Sequence, residues 1–238
     1  MQPSTKHSSP FLGKVKAAYF ESRNALRDRR ARFWIGGLTA FVAVTGAMSV
    51  AGCGGTEAHA GTPVFTVSSP DLASGTFSAK FILNGFGFTG GNISPAVEWS
   101  NAPAGTQSFD LQVEDIDAET RGELWHWSVY NIPATATGLA QGADNSAATL
   151  PAPAAGGLND FYSTGVTGGN NNYGDPCPPV GDKPHRYVFT LYAVSVANVE
   201  AAAGIPAMAT TGLHSLVLNR LIGNKLLGTA SFMATYGQ

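Results

Sequence analysis

The sequence predicts a mainly β domain, with antiparallel sheets packed together and one helix late in the chain. Glycine and proline, 29 and 14 among 238 residues, cut the chain into short segments, which suits strands and turns better than long helices. Residues 108–115 and 124–132 alternate with period two, and residues 206–222 carry apolar side chains at helical spacing. These periods mark strands and one amphipathic helix respectively.

The first 52 residues read as a separate export segment. Lys6, Lys14, Lys16, Arg23, Arg27, Arg29, Arg30 and Arg32 stand against Glu21 and Asp28, and Phe33 to Val50 then carries no charge. A basic stretch, an apolar stretch and a small-residue cleavage site describe a signal peptide. The apolar run also approaches the length of a signal anchor, but it ends in Val50-Ala51-Gly52-Cys53. That end resembles the lipobox of bacterial lipoproteins and makes Cys53 the expected lipidation site. Arg29-Arg30 raises a twin-arginine route, although Ala31-Arg32-Phe33 fits that pattern poorly. Residues 53–62 read as a small, polar tether.

Removing residues 1–52 leaves six basic against fourteen acidic residues, a formal charge of −8. Such a surface does not attract nucleic acid, and membrane contact is expected through the anchor alone. With Cys53 acylated, Cys177 is the remaining thiol and has no internal disulfide partner.

One domain is expected over 63–238. Phe65-Thr66-Val67 reads as a first strand and Thr76 to Leu83 as a second. The glycine-rich loop Asn84 to Asn92 carries Phe86 and Phe88, both expected at the surface. Val97-Glu98-Trp99 is strand-like and 102–106 is a turn. In 108–115, Phe109, Leu111 and Val113 share one face. In 124–132, Trp125, Trp127 and Val129 share one face, and His126, Ser128 and Tyr130 the other. Residues 138–184 read as loop. Arg186 to Val194 is rich in β-branched and aromatic residues and reads as a strong strand. Pro206 to Ile222 reads as the helix, ended by Gly223-Asn224, and Phe232 lies in a final strand.

Three clusters carry chemistry: Asp115-Ile116-Asp117, Trp125-His126-Trp127, and Pro176-Cys177-Pro178-Pro179 followed by His185-Arg186-Tyr187. Singly, each has an ordinary structural reading as turn former, core residue or loop stiffener. Together, in the order D-x-D, H-W, P-C-P-P-x-G-D-K-P-H-R-Y-V-F, they resemble the phosphatidylethanolamine-binding protein family, in particular its bacterial, Raf-kinase-inhibitor-like branch. The resemblance implies a β-sandwich of two antiparallel sheets with a late C-terminal helix. It also implies a small pocket for phosphate- or carboxylate-bearing ligands, a phosphoethanolamine-like group among them. Carried over by position, the binding residues are Asp115, His126, Pro178, Pro179, His185 and Tyr187, with Asp117 supporting the loop. Asp115 is expected to orient His126 or His185, because a carboxylate on one ring nitrogen fixes the tautomer. The usual D-P-D-A-P is here Asp115-Ile116-Asp117-Ala118-Glu119, which leaves the position of Asp117 open, and Val166 to Asn172 lengthens the loop before Pro176.

No catalysis and no cofactor are expected. A triad would need His126, Asp115 and Ser128 or Ser163, but the nucleophile-elbow pattern G-x-S-x-G is missing. Asp115, Asp117, His126 and His185 are metal-ligand types, yet the acidic loop lacks the glycine that a calcium loop requires at its sixth position. The expected partners are a small anionic ligand and, through the anchor, the bacterial cell-envelope membrane. The alternative is an interaction or inhibitor module that engages an extracytoplasmic protein through the 138–184 region.

Overall fold

The computed structural model describes residues 63–120, 122–143, 149–161 and 172–238. The export segment, Cys53, the tether, Ser163 and most of the lengthened loop lie outside the described residues. Pro63–Gln238 forms one compact unit.

Two antiparallel sheets make the fold. Strands β1 (Thr66–Ser68), β2 (Val97–Ser100) and β5 (Gly138–Leu139) form the smaller sheet in the order β1-β2-β5. The larger one runs β6-β4-β3-β7-β8, from β3 (Ser108–Asp115), β4 (Leu124–Pro133), β6 (Ala155–Gly156), β7 (His185–Val194) and β8 (Leu226–Tyr236). The apolar faces meet between the sheets. Val97 and Trp99 of β2 oppose Phe109, Leu111 and Val113 of β3, with Trp127, Val129, Phe189 and Leu191 beside them. The Trp99 and Phe109 rings lie 5.2 Å apart. Each fully buried side chain of this size contributes about 1.5–3 kcal/mol through lost water contact.

The second face of β3 and β4 is also buried. Asp110, Gln112, Ser128 and Tyr130 are covered rather than solvated. Helix α2 (Thr211–Leu216) lies over them, and the Ser128 and Thr211 hydroxyls are 2.7 Å apart. The period-two alternation therefore separates an apolar interior from a polar one.

Several expected elements differ. Thr76 to Leu83 is no strand, since its backbone bonds to its own glycine loop. Gly91 N–H donates to the Ala79 carbonyl and Asn92 N–H to the Ile82 carbonyl, leaving a single 3₁₀ turn at Ala79–Phe81. A Cβ on Gly90 would sit 1.9 Å from the Ile82 carbonyl oxygen, so the close approach requires glycine. Phe86 is exposed, but Phe88 turns inward at 8% exposure. The late helix starts at Thr211 rather than Pro206, because the Thr210 hydroxyl caps it by accepting from Leu213 N–H. Its end widens into a π-turn over Val217–Leu221. A short helix escaped the sequence reading: α1 (Val199–Ala203), capped by Asn198 and stopped by Gly204 at φ 69°.

Candidate functional site

The site forms where β3 ends and β7 begins. Asp115 and Tyr187 stand opposite each other in the β3–β7 register, and their side chains point to the inter-sheet face at the end of the sandwich. His185 lies two residues earlier on the same face of β7. Its Nδ1 is 2.7 Å from Asp115 Oδ2, so Nδ1–H donates to the carboxylate. The other Asp115 oxygen accepts from the Asp117 N–H at 2.9 Å.

His126 reaches the same place by an irregularity. Alternation along β4 puts it with Ser128 and Tyr130, away from Trp127. The pairing runs Val113 to Trp127 and then Glu114 to Trp125, so His126 is the extra residue of a β-bulge. A bulge re-aims a side chain, and here the ring turns to within 5.1 Å of the Tyr187 ring and 5.0 Å of Phe161. Its Nδ1 is 2.8 Å from the Gly174 carbonyl. Gly174 N–H in turn donates to the His126 carbonyl at 2.7 Å, and Asn159 donates to it as well. The proline loop is thereby tied to β4.

That loop builds the far wall. Asp115, His126, Cys177, Pro178, Pro179, His185 and Tyr187 line one pocket of about 250 Å³, with Ala118, Glu119, Thr120 and Leu124 at its other side. Asp117 is not in this wall. Its carboxylate is gripped by Arg186, whose Nε and Nη2 donate at 2.8 and 2.7 Å while the Arg186 backbone N–H donates at 2.8 Å. This clamp anchors the loop that lacks prolines at its flanks, and it faces a neighbouring groove with Asp182 and Lys183.

The sequence reading omitted Cys177, Glu119, Asp182 and Gly174 from the site. Asp182 Oδ2 lies 3.5 Å from His185 Nε2, three residues away in sequence. That spacing could have signalled it; Gly174 acts through its backbone and leaves no side-chain signal. Ser128 gives its hydroxyl to Thr211 rather than to His126. Among the described residues no cluster of His, Cys, Asp and Glu is arranged to hold a metal ion.

Electrostatics separate the two imidazoles. Burial lowers the pKa of His126 and outweighs the opposing Gly174 carbonyl and Asp115 charge. Burial also pulls His185 down, but the hydrogen bond and charge of Asp115, with Asp182 behind them, raise it overall. Burial, then the neighbouring Asp115, pushes the Tyr187 hydroxyl well up. Burial, with Asp175 and Asp115 nearby, raises the Cys177 thiol to about 11. Tyr187 therefore stays a neutral hydroxyl and Cys177 a neutral thiol at physiological pH.

The family model for phosphatidylethanolamine-binding protein matches residues 73–237, which include the whole of the larger sheet, β2 and β5 of the smaller one, and every residue of this pocket. The chain belongs to the phosphatidylethanolamine-binding protein family. Bacterial members of the family resemble it over most of the domain. It is 42% identical to YbcL of Escherichia coli over 57% of this chain and 71% of that protein. It is 36% identical to YbhB of the same organism, over 62% and 91%. A Mycobacterium tuberculosis protein, LppC, described as a candidate lipoprotein, is 37% identical over 68% of this chain and 74% of its own. The crystal structure of E. coli YbcL, described as a member of the mammalian PEBP family, superposes with a TM-score of 0.62 at 35% identity. It covers 73% of this chain and 98% of that one.

Proposed function

We propose that this family member is an exported, lipid-anchored protein that binds a small oxyanion-bearing ligand and performs no chemistry on it. The observation that carries the reading is the convergence of His126, His185, Tyr187 and Asp115 on one small pocket walled by Pro178 and Pro179. Tyr187 brings a hydroxyl donor and His185 a ring whose charged form is favoured. Each charge-assisted hydrogen bond contributes on the order of 1.5–3 kcal/mol. A few such bonds, offset by the cost of immobilising a ligand, give affinities of roughly millimolar to micromolar. The geometry supports binding over hydrolysis, because among the described residues the two nucleophile types nearest the imidazoles are not activated: Cys177 is held as a thiol and Ser128 is bonded elsewhere.

Titration of the mature chain with phosphate, phosphoethanolamine and acetate tests the pocket. The expected result is movement of the His126 and His185 ring signals in NMR spectra, and rings unmoved by all three ligands would remove the reading. The anchor is supported by the Val50-Ala51-Gly52-Cys53 pattern and by likeness to LppC. Cys53→Ser is expected to release the protein into the soluble fraction. A mutant whose signal is cleaved but which stays on membranes would contradict the anchor.

A further inference from the structure

One buried imidazole lies outside the pocket. His214, on α2, is fully enclosed, and neither of its ring nitrogens has a hydrogen-bond partner. A neutral ring offers one N–H and one lone pair, and both go unmet here. A second proton turns both nitrogens into donors and puts a charge where no acceptor is in reach, which is costly in a dry interior. From α1, Glu200 brings Oε1 to 3.8 Å from Nε2, beyond hydrogen-bond reach, while its Oε2 accepts from the Asn131 amide at 2.8 Å. From β4, the Tyr130 ring lies against the imidazole. From β3, Asp110 stands near Tyr130 with burial favouring its neutral form, and the Gln112 amide turns to the Tyr130 hydroxyl and the Thr211 carbonyl. Arg220, on the π-turn, is exposed to water.

The helix that carries this ring is lightly held. It has six residues, includes Gly212 in its first turn and runs straight into the π-turn. A helix so short has little stability of its own and depends on packing. Thr211 ties its start to the sheet side. The Thr211 backbone N–H and hydroxyl both donate to the Leu158 carbonyl, at 2.8 and 2.9 Å. Leu158 adjoins Asn159, whose amide donates to the His126 carbonyl at 3.1 Å and to the Asn172 carbonyl at 2.6 Å. Asp160 N–H then donates to the Trp125 carbonyl at 3.0 Å. The helix and the wall of the pocket therefore share one segment.

We propose that α2 is an acid-released latch on the pocket wall: a proton on His214 frees the helix from the sheet, and its departure loosens the segment that ties the proline loop to β4. The sign follows from enclosure. While the helix is seated, burial holds the His214 ring neutral down to about 4, whereas a ring turned out to water takes its proton near the ordinary 6.5. Between those values the open helix binds a proton that the seated helix refuses, so acid populates the open form. Local opening of this kind needs only part of the fold to yield. The movement does not depend on what the pocket binds.

Amide hydrogen exchange of the mature chain, read by NMR between pH 7.5 and 4.5 and corrected for the intrinsic exchange rate at each pH, tests this. The opening constant for residues 211–218 is expected to rise roughly sevenfold from pH 6 to pH 5. Over the whole range it should rise at least about fiftyfold. The Asp160 and Gly174 amides, which bond the Trp125 and His126 carbonyls, are expected to lose protection in the same pH window. In His214→Phe the acid dependence is expected to vanish at both places, and His214→Leu serves if the larger ring crowds the site. Titration of the His214 ring signal in the wild type needs no variant. A ring that titrates at its ordinary value while the helix amides stay protected would overturn the latch. So would opening that is flat with pH, or acid acceleration that persists in a folded variant. An α2 that opens while Asp160 and Gly174 stay protected would overturn its hold on the wall.

Discussion

Asp115 acts on two scales of distance at once. It accepts from His185 Nδ1 at 2.7 Å and stands 4.0 Å from His126 Nε2. One carboxylate thus keeps His185 inclined to its charged form, while burial keeps His126 neutral. Asp115→Asn removes the charge and leaves a neutral acceptor of the same shape. The His185 pKa is expected to fall, as loss of an adjacent opposite charge does, and a pH titration of its ring signal reads this directly. An unchanged value would mean that Asp182 alone holds the ring. At this scale the sequence was informative. His126, His185, Tyr187, Asp115 and the prolines do line one pocket. The pairing of Asp117 with Arg186 was not legible, because adjacent positions on facing segments become partners only once β3 and β7 are paired.

Elements decide where those residues point, and irregular elements decide most. Alternation alone puts His126 on the polar face with Ser128, and only the bulge opposite Val113 and Glu114 brings it round. A bulge is a property of pairing between two strands, so one strand's sequence does not announce it. A second bulge lies at the other end of β4, where Asn131 adopts φ 57° and its amide holds Val199 and Glu200 of α1. Helix starts were misjudged for a related reason. Apolar spacing extended the late helix back to Pro206, but the capping hydroxyl of Thr210 sets its real beginning. The proline loop depends on Gly174, where an added Cβ would lie 2.7 Å from the His126 carbonyl oxygen and 2.7 Å from the Phe161 ring. Gly174→Ala is expected to cost about 1–3 kcal/mol through overpacking and to displace the His126 ring. Urea unfolding should show a lower midpoint with unchanged slope. A midpoint equal to wild type would show that the loop is free to shift.

On the scale of the whole molecule, the buried polar face is one source of pH sensitivity in the fold. Burial raises the Asp110 carboxyl to about 8 from an ordinary 3.8, with nearby Glu200 adding to the rise and the Asn131 N–H opposing it. Burial also lowers His214 to about 4, and its ring nitrogens lie under α2 without hydrogen bonds. The raised Asp110 means that the folded state keeps a proton which the unfolded chain releases above 3.8. Its stabilising contribution is therefore full below that pH and is lost as pH climbs toward 8. Asp110→Asn mimics the protonated acid. The variant is expected to gain on wild type by at least about 1 kcal/mol by pH 8, with the gain shrinking toward pH 4. Thermal melts across that range measure it, and a constant difference at all pH values would exclude Asp110 as the titrating group. His214 has the opposite sign, destabilising the fold as pH falls from 6.5 toward 4. The two-sheet architecture was readable from period-two patterning and the family resemblance. The polar layer beneath the helices was not, because a strand face carrying Asp, Gln and Ser looks the same whether water or a helix covers it.

The bulge in β4 has an optical consequence. Its extra residue is flanked in sequence by Trp125 and Trp127, both buried, while Trp99 belongs to the other sheet. Two of the protein's principal fluorophores thus sit one peptide unit on either side of His126. A protonated imidazole quenches a neighbouring indole far more than a neutral one does. Protonation of that ring is therefore expected to dim the emission of the unlabelled protein, and a pH titration of its fluorescence checks this.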